Sequence, residues 1–188
     1  MARYAAAAFE SLQRIAGDSL SGARVLDFGC GTGLLTRHLS SVVRAVVSVD
    51  TSLAMIEGLA GKNLANVVPV CAAVTTQLLR SDQRLAGAFD LVVCSSVCAF
   101  VEDYPGTIAT LASALGPGGL LVQWDWERAE DDEESLGLSR SAIREALSGA
   151  GLEQLSVQTG FSIEVEGNEM APLMGVGRKA AARSGQSL

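Results

Sequence analysis

Short continuous apolar runs alternate along the chain with stretches whose apolar residues recur every three or four positions. Arg24-Val-Leu-Asp-Phe28, Ala45-Val-Val-Ser-Val49 and Phe89-Asp-Leu-Val-Val-Cys94 are apolar at nearly every position, as are Asn66-Val-Val-Pro-Val70 and Leu120-Leu-Val-Gln-Trp124. Runs of that length without strict alternation read as strands buried on both faces. Pro69 places the 66–70 run at a sheet edge, because proline cannot donate to a ladder. Between the runs, Leu34 to Ser41 reads as a helix. So does Ser52 to Ala60, with Leu53, Ile56, Leu59 and Ala60 on one face and Ser52 as N-cap. Pro105 to Leu115 carries proline where a helix start tolerates it, and Gly116-Pro-Gly-Gly119 reads as a turn. Ser139 caps a helix running to about Ala150; Leu152 to Thr159 and Ala171 to Arg178 supply two more strands. Strands and helices in strict alternation predict an α/β fold around a largely parallel sheet.

The 188 residues suit one domain, here residues 1–179, with a helix or lid over 1–21 and a disordered tail over 180–188. With 48% hydrophobic and 19% charged residues, the composition supports a core and excludes wholesale disorder. The net charge of −7 argues against nucleic acid and anionic membranes as partners. The apolar runs are far shorter than the ~20 residues that span a bilayer. Glu10, Gln13 and Arg14 break the N-terminal apolar stretch too early for an export signal, so a cytoplasmic location is expected. Cys30, Cys71, Cys94 and Cys98 form no CxxC pair and lie far in sequence from the lone His38. The expectation is reduced, packed thiols and no metal. Six acids crowd positions 127–134 and read as a solvated, mobile loop.

The chemistry concentrates in Val25-Leu-Asp-Phe-Gly-Cys-Gly-Thr-Gly33. Three glycines at alternate positions between a strand and a helix let a ligand lie against bare backbone. The dinucleotide fingerprint is G-x-G-x-x-G; here the spacing is G-x-G-x-G, and Asp27 precedes it. A carboxylate there repels a pyrophosphate, but suits a ligand ammonium or the backbone N–H groups of the loop. Asp50, one strand later, is placed to accept both hydroxyls of a ribose, or to cap the following helix.

Val25 to Gly33 and Val46 to Asp50 resemble motifs of the class I S-adenosylmethionine-dependent methyltransferases. Phe89-Asp-Leu-Val-Val-Cys-Ser-Ser96 is similar to the family's fourth-strand motif, and Leu115-Gly-Pro-Gly-Gly-Leu-Leu-Val122 to its fifth. The resemblance runs from about Gly22 to Lys179, and its closest flavour is the ubiquinone-biosynthesis-like, small-molecule subgroup. It implies a Rossmann-like, doubly wound sheet of seven strands in the order 3-2-1-4-5-7-6, the seventh antiparallel, with helices on both faces. It further implies S-adenosylmethionine as cofactor and S-adenosylhomocysteine as product. Carried over by position, Asp27, Gly29, Cys30 and Gly31 surround the methionine moiety, and Asp50 holds the ribose. Thr51 and Met55 lie beside the adenosine, and Ser95 lies near the methionine end. The acid that the family often offers to adenine is missing. Cys71-Ala-Ala73 stands in its place, so Ala72 and Ala73 leave adenine to apolar packing and backbone contacts.

Methyl transfer from a sulfonium is an in-line displacement in which proximity and orientation carry much of the rate. A base is needed only for a protonated nucleophile. No residue stands out as catalytic, and His38, inside the first helix after the glycines, reads as helix packing. Tyr4, Cys98, Phe100, Tyr104, Asp125, Trp126 and Glu127 fall where substrate-facing loops belong; for each aromatic, packing in the core or the lid is the favoured reading. The little chain beyond the core and the acidic surface point to a small-molecule acceptor. The alternatives are a protein that binds the cofactor without turnover and, disfavoured by the glycine spacing, a nucleotide-dependent oxidoreductase. Oligomeric state is not legible.

Overall fold

The computed structural model describes residues 1–132, 135–165 and 167–182. Helix α1 (Ala2–Ala16) leads into β1 (Arg24–Phe28), α2 (Leu34–Ser40), β2 (Ala45–Asp50), α3 (Leu53–Ala60) and β3 (Val67–Cys71). Then follow α4 (Thr76–Ser81), β4 (Phe89–Ser95), α5 (Tyr104–Ala114) and β5 (Leu115–Asp125). The chain continues through α6 (Arg140–Gly149), β6 (Leu152–Thr159), a hairpin of β7 (Ile163–Val165) and β8 (Asn168–Met170), and β9 (Leu173–Lys179).

Seven strands form one sheet in the order β3-β2-β1-β4-β5-β9-β6. All neighbours are parallel except the pairs of β9 with β5 and with β6. With β9 counted as the seventh sheet strand, this is the order and polarity that the resemblance implies. Pro69 lies on β3 at the sheet edge.

Alternation along each strand divides the core between the two faces. Val25, Leu91, Val93, Val122 and Trp124 pack with Leu12 of α1 and with Leu35 and Leu39 of α2. Leu26, Val92, Cys94 and Leu121 face the other way, toward Ile108 and Leu111 of α5 and Ile143 and Leu147 of α6. Both layers are needed, since a parallel sheet buries both of its faces.

Several details depart from the sequence reading. Residues 116–119 do not form a turn ahead of β5 but lie inside it, and the register with β4 shifts between Phe89 and Leu91 to absorb them. Ser52 occupies the N-cap of α3 without a side-chain bond; instead its N–H donates to Asp50 Oδ1 at 2.9 Å. The acidic loop is tied down where it is described. Glu127 pairs with Arg140 at 2.7 Å, Glu130 accepts from the N–H and hydroxyl of Ser141, and Leu138 N donates to Trp126 O at 2.9 Å. These acids gather at the start of α6, where carboxylates meet exposed N–H groups and the positive end of the helix dipole. Glu133, Glu134 and tail residues 183–188 lie outside the described residues. Cys98 and Tyr104, which fall in the stretch where substrate-facing loops belong, are buried in the core, as the packed-thiol and packed-aromatic readings expect.

Candidate cofactor site at the carboxyl ends of the central strands

Strands β2, β1, β4 and β5 deliver Asp50, the glycine loop, Ser95 and Asp125 to one edge of the sheet. The loop after β1 is fastened to β2 by backbone bonds. Gly29 N and Cys30 N both donate to Val49 O, at 2.8 and 3.1 Å. Asp50 adds a side-chain link, its Oδ2 accepting from Gly31 N at 2.9 Å. The carboxylate of Asp50 therefore clasps the glycine loop and the entry to α3 at once. A carboxylate has about four acceptor positions, so each oxygen of this half-buried group keeps a lone pair for a ligand.

The three glycines do different work. Gly29 adopts φ +66°, and a Cβ there would sit 2.2 Å from Val97 Cγ2. Gly33 at φ +78° would meet Leu59 Cδ1 at 2.3 Å. These two are packing glycines. Gly31, at φ +53°, has open space where a Cβ would stand, and it lines a cavity of about 220 Å³. That is a cradle for a ligand atom lying against the backbone.

The cavity runs between the glycine loop, the first turns of α1 and the end of β4. Tyr4, Ala5, Asp27, Gly29, Cys30, Gly31, Ser95 and Ser96 are among its walls. Asp27 is 1% exposed. Its Oδ2 accepts the Thr36 hydroxyl at 2.5 Å, and Ser48 Oγ donates in turn to Thr36 at 3.3 Å. Burial pushes the Asp27 carboxyl up to about 7, helped by the nearby charge of Asp50 and opposed by Thr36. Of the two roles expected for Asp27, holding the glycine loop falls to Asp50. Asp27 is left as a buried acid in a cavity wall, a group that a cation would drive to ionise.

The other expected residues fall into place around this edge. Asp50 and Cys71 are register partners, and Ala72 N donates to Asp50 O at 3.0 Å, which seats residues 71–73 beside Thr51. Cys71 Sγ lies 3.6 Å from Thr51 O. Met55 and Leu53 expose apolar side chains on the first turn of α3. The edge beyond Asp50 is thus apolar and small-residue, with no carboxylate at 71–73 to meet an exocyclic amine. Trp124 is buried in the core, whereas Trp126 is half-buried and packs 5.5 Å from the Tyr4 ring. His38 stacks on Phe9 of α1 at 5.5 Å, a packing role.

Tyr4 and Asp125 were among the expected residues, but their partners were not. Tyr4 Oη and Ser96 Oγ are buried side by side without a well-formed hydrogen bond, and Ser96 and Ser95 oppose the rise that burial gives the Tyr4 phenol. Ser96 also adopts φ +54°, a left-handed conformation that costs a residue with a side chain. Only the run Ser95-Ser96 at a strand end hinted at it. Asp125, 1% exposed, accepts from Gln123 Nε2 at 3.1 Å, and Gln123 Oε1 accepts from Tyr104 Oη at 2.8 Å. Burial pushes Asp125 up to about 7 as well, against the bonds from Ala99 N–H and Gln123.

The profile of the family described as "Methyltransferase domain" matches residues 1–164. The chain belongs to that family. Among relatives, it is 35% identical over 102 residues to the ubiquinone biosynthesis O-methyltransferase of Xanthomonas axonopodis pv. citri, covering 54% of this chain and 42% of that protein. It is 31% identical over 117 residues to the uncharacterized methyltransferase C1347.09 of Schizosaccharomyces pombe, covering 59% and 41%. The matched stretch thus spans about two fifths of these curated relatives. Among solved structures, the YcgJ protein of Bacillus subtilis superposes with a TM-score of 0.71 at 16% identity, covering 93% of this chain and 99% of that one. The magnesium protoporphyrin IX methyltransferase ChlM of Synechocystis PCC 6803, solved with bound SAM, gives 0.70 at 20% identity, covering 95% and 80%. These likenesses establish that the methyltransferase domain has the fold of those structures.

Proposed function

We propose that this methyltransferase domain binds S-adenosylmethionine at the edge built by the glycine loop and Asp50, and methylates a small-molecule acceptor. The observation that carries the reading is Gly31: its left-handed backbone presents an open face to the cavity, and the Asp50 carboxylate locks it there. The donor set fits the group. The free lone pairs of Asp50 suit the ribose hydroxyls, and Asp27, Gly29, Cys30 and Gly31 line the space for the methionine, with Ser95 at its end. Thr51, Met55, Ala72 and Ala73 flank the adenosine, where apolar and backbone contacts take the place of an acid.

S-adenosylmethionine supplies a methyl group on a positively charged sulfur, open to displacement by an acceptor's lone pair. The protein's part is orientation and shielding. Asp50 and the glycine loop fix one end of the ligand, and α1 covers the cavity. The acidic walls favour a cationic ligand over its neutral product. The cavity walls contain no histidine, so the acceptor either arrives deprotonated or loses its proton to solvent or to a nearby carboxyl. The acidic composition and the ubiquinone-biosynthesis relatives support a small molecule over a nucleic acid. Residues 1–179 are read as one domain. Among the described residues no helix is long and apolar enough to cross a membrane, which is consistent with the proposed cytoplasmic site of action.

The test is calorimetric titration of the protein with S-adenosylmethionine and S-adenosylhomocysteine, repeated on Asp50→Ala checked for folding. Micromolar binding that the substitution abolishes supports the reading. Folded wild-type protein that binds neither ligand sinks it. Binding without transfer to any acceptor favours a non-catalytic cofactor-binding protein.

A further inference from the structure

A carboxylate is a costly group to bury, and the face of the sheet under α5 holds one. Asp125 ends β5 at 1% exposure, on the face that otherwise packs Cys94, Leu121 and Ile108. An apolar residue of the same shape often serves such a place better. Here both carboxylate oxygens are engaged. Oδ1 accepts from Ala99 N at 3.3 Å and Oδ2 from Gln123 Nε2 at 3.1 Å. Gln123 is held in turn by Tyr104 Oη, which donates to its Oε1 at 2.8 Å, and both of these residues are buried. The result is a satisfied polar relay from α5 through β5 to the short helical turn Cys98–Phe100. Such a relay fixes one geometry where apolar contacts tolerate several.

The segment that the relay holds lies between two pins on β5. Ahead of Val97, Ser96 N donates to Trp124 O at 2.7 Å, and the Ser96 backbone turns into the left-handed region at φ +54°. After Val97, Ala99 N meets Asp125. Val97 is carried between these pins and covers Gly29 so closely that a Cβ on the glycine would stand 2.2 Å from Val97 Cγ2. The same glycine loop is bonded to β2 through Val49 O and the Asp50 carboxylate. The loop is therefore held by two strands, β2 through hydrogen bonds and β5 through Val97. Neither Val97 nor Asp125 lines the cavity, so their influence on it runs through the place they give to Gly29, Cys30 and Gly31.

Resting on the cofactor reading above, we propose that Asp125 is a positioning residue for the glycine loop: its carboxylate fixes the turn after β4, and Val97 carries that position to Gly29. The cost of burying the carboxylate is offset by a cofactor cradle held in one arrangement. Tyr104 and Gln123 serve the same end by orienting the carboxylate.

The experiment titrates S-adenosylhomocysteine calorimetrically into wild type, Asp125→Leu, Val97→Ala and the double variant, with circular dichroism confirming the fold. Leucine copies the shape of aspartate and removes its acceptors. Asp125→Leu is expected to weaken binding about five- to tenfold, at the low end of couplings between distinct sites. Because Asp125 acts through Val97, the double variant should bind no more weakly than the weaker single one. Asp125→Asn, which keeps an acceptor for Ala99 N, should recover most of the affinity. A part in the fold alone shifts the melting temperature and leaves the affinity of the folded protein as it is. Folded Asp125→Leu with wild-type affinity overturns the proposal. So do losses that multiply in the double variant, and so does Asp125→Asn binding as weakly as Asp125→Leu, which assigns the effect to charge. Amide hydrogen exchange on the wild type needs no variant. Coupling is reciprocal, so the ligand is expected to slow exchange over residues 97–101 more than over α6; equal slowing overturns the proposal even where Asp125→Leu does not fold. Folded wild type that binds no S-adenosylhomocysteine overturns this proposal and the cofactor reading together, whereas each of the other failures overturns this proposal alone.

Discussion

Asp27 and Asp50 stand at the ends of neighbouring strands and do unlike things because water reaches them differently. Asp50 is half-buried and spends its charge on two backbone N–H groups. Asp27 is 1% exposed, and among the described residues the Thr36 hydroxyl is the donor that meets it. Its carboxyl, ordinarily near 4 in an unfolded chain, stands at about 7 in the folded protein. Folding therefore favours the protonated form. The stability this confers is complete below about pH 4 and is lost as pH rises through about 7. Asp27→Asn, which keeps an acceptor for Thr36, is expected to flatten part of that slope, raising the melting temperature relative to wild type most at pH 8.5, less at pH 5 and little below about pH 4. Asp125 titrates in the same direction, so the remainder of the slope is expected to persist. A cationic ligand beside Asp27 reverses the balance. Its binding should release a proton near pH 7, visible as a dependence of the calorimetric heat on buffer ionisation enthalpy. The glycines separate in the same way. Gly29→Ala drives a Cβ into Val97 and should cost about 2–4 kcal/mol in a denaturant titration. Gly31→Ala carries only the conformational strain, about 1–2 kcal/mol, and its larger effect is expected on ligand affinity.

At the scale of elements, the sequence was most legible where burial is complete. The strands β1, β2, β4 and β5 are apolar on both faces, and the structure places them within a residue or two of the reading, β5 apart. Asp27, Asp50 and the glycines were legible because their types and spacing are tied to a backbone shape. Helix α4 was missed because Thr76–Ser81 has no buried residue and so no apolar stripe. The β7–β8 hairpin was missed for a similar reason, being short and mixed in polarity. The acidic loop is solvated as read, but charge density alone does not reveal that Arg140, Ser141 and the start of α6 receive Glu127 and Glu130. The buried hydroxyl of Ser96 was hinted at only by the run Ser95-Ser96 at a strand end, since its place depends on a left-handed backbone visible only in three dimensions. Helix α1 adds one buried bond to its apolar packing against the sheet. Trp124 Nε1 donates to Ser11 Oγ at 2.9 Å, and Ser11 donates to Ala8 O. Ser11→Ala strands the indole N–H and is expected to cost about 1–3 kcal/mol, read by chemical denaturation. Because α1 carries Tyr4, S-adenosylhomocysteine affinity should fall with it.

Across the whole molecule, the candidate site collects polar groups at one edge of a sheet whose interior is nearly all apolar. The buried chain from Tyr104 through Gln123 to Asp125 ends at that same edge, next to the backbone of residue 99. A ligand that binds only the folded protein stabilises it by about 2.7 kcal/mol at a hundred times its dissociation constant. A clear rise in melting temperature with S-adenosylhomocysteine, absent in Asp50→Ala, is the expected whole-protein signature of occupancy. The order of the strands carries a further consequence, one of timing. β9 lies between β5 and β6 and is the single sheet partner of β6. When a ribosome has released β1 through β6, the flank of β5 is still bare and β6 has nothing to pair with. Both wait for residues 173–179, the last of this sheet's strands in chain order. The keystone of the sheet is its latest arrival, so a nascent chain halted before β9 presents two open edges to whatever chaperone or neighbour meets it first.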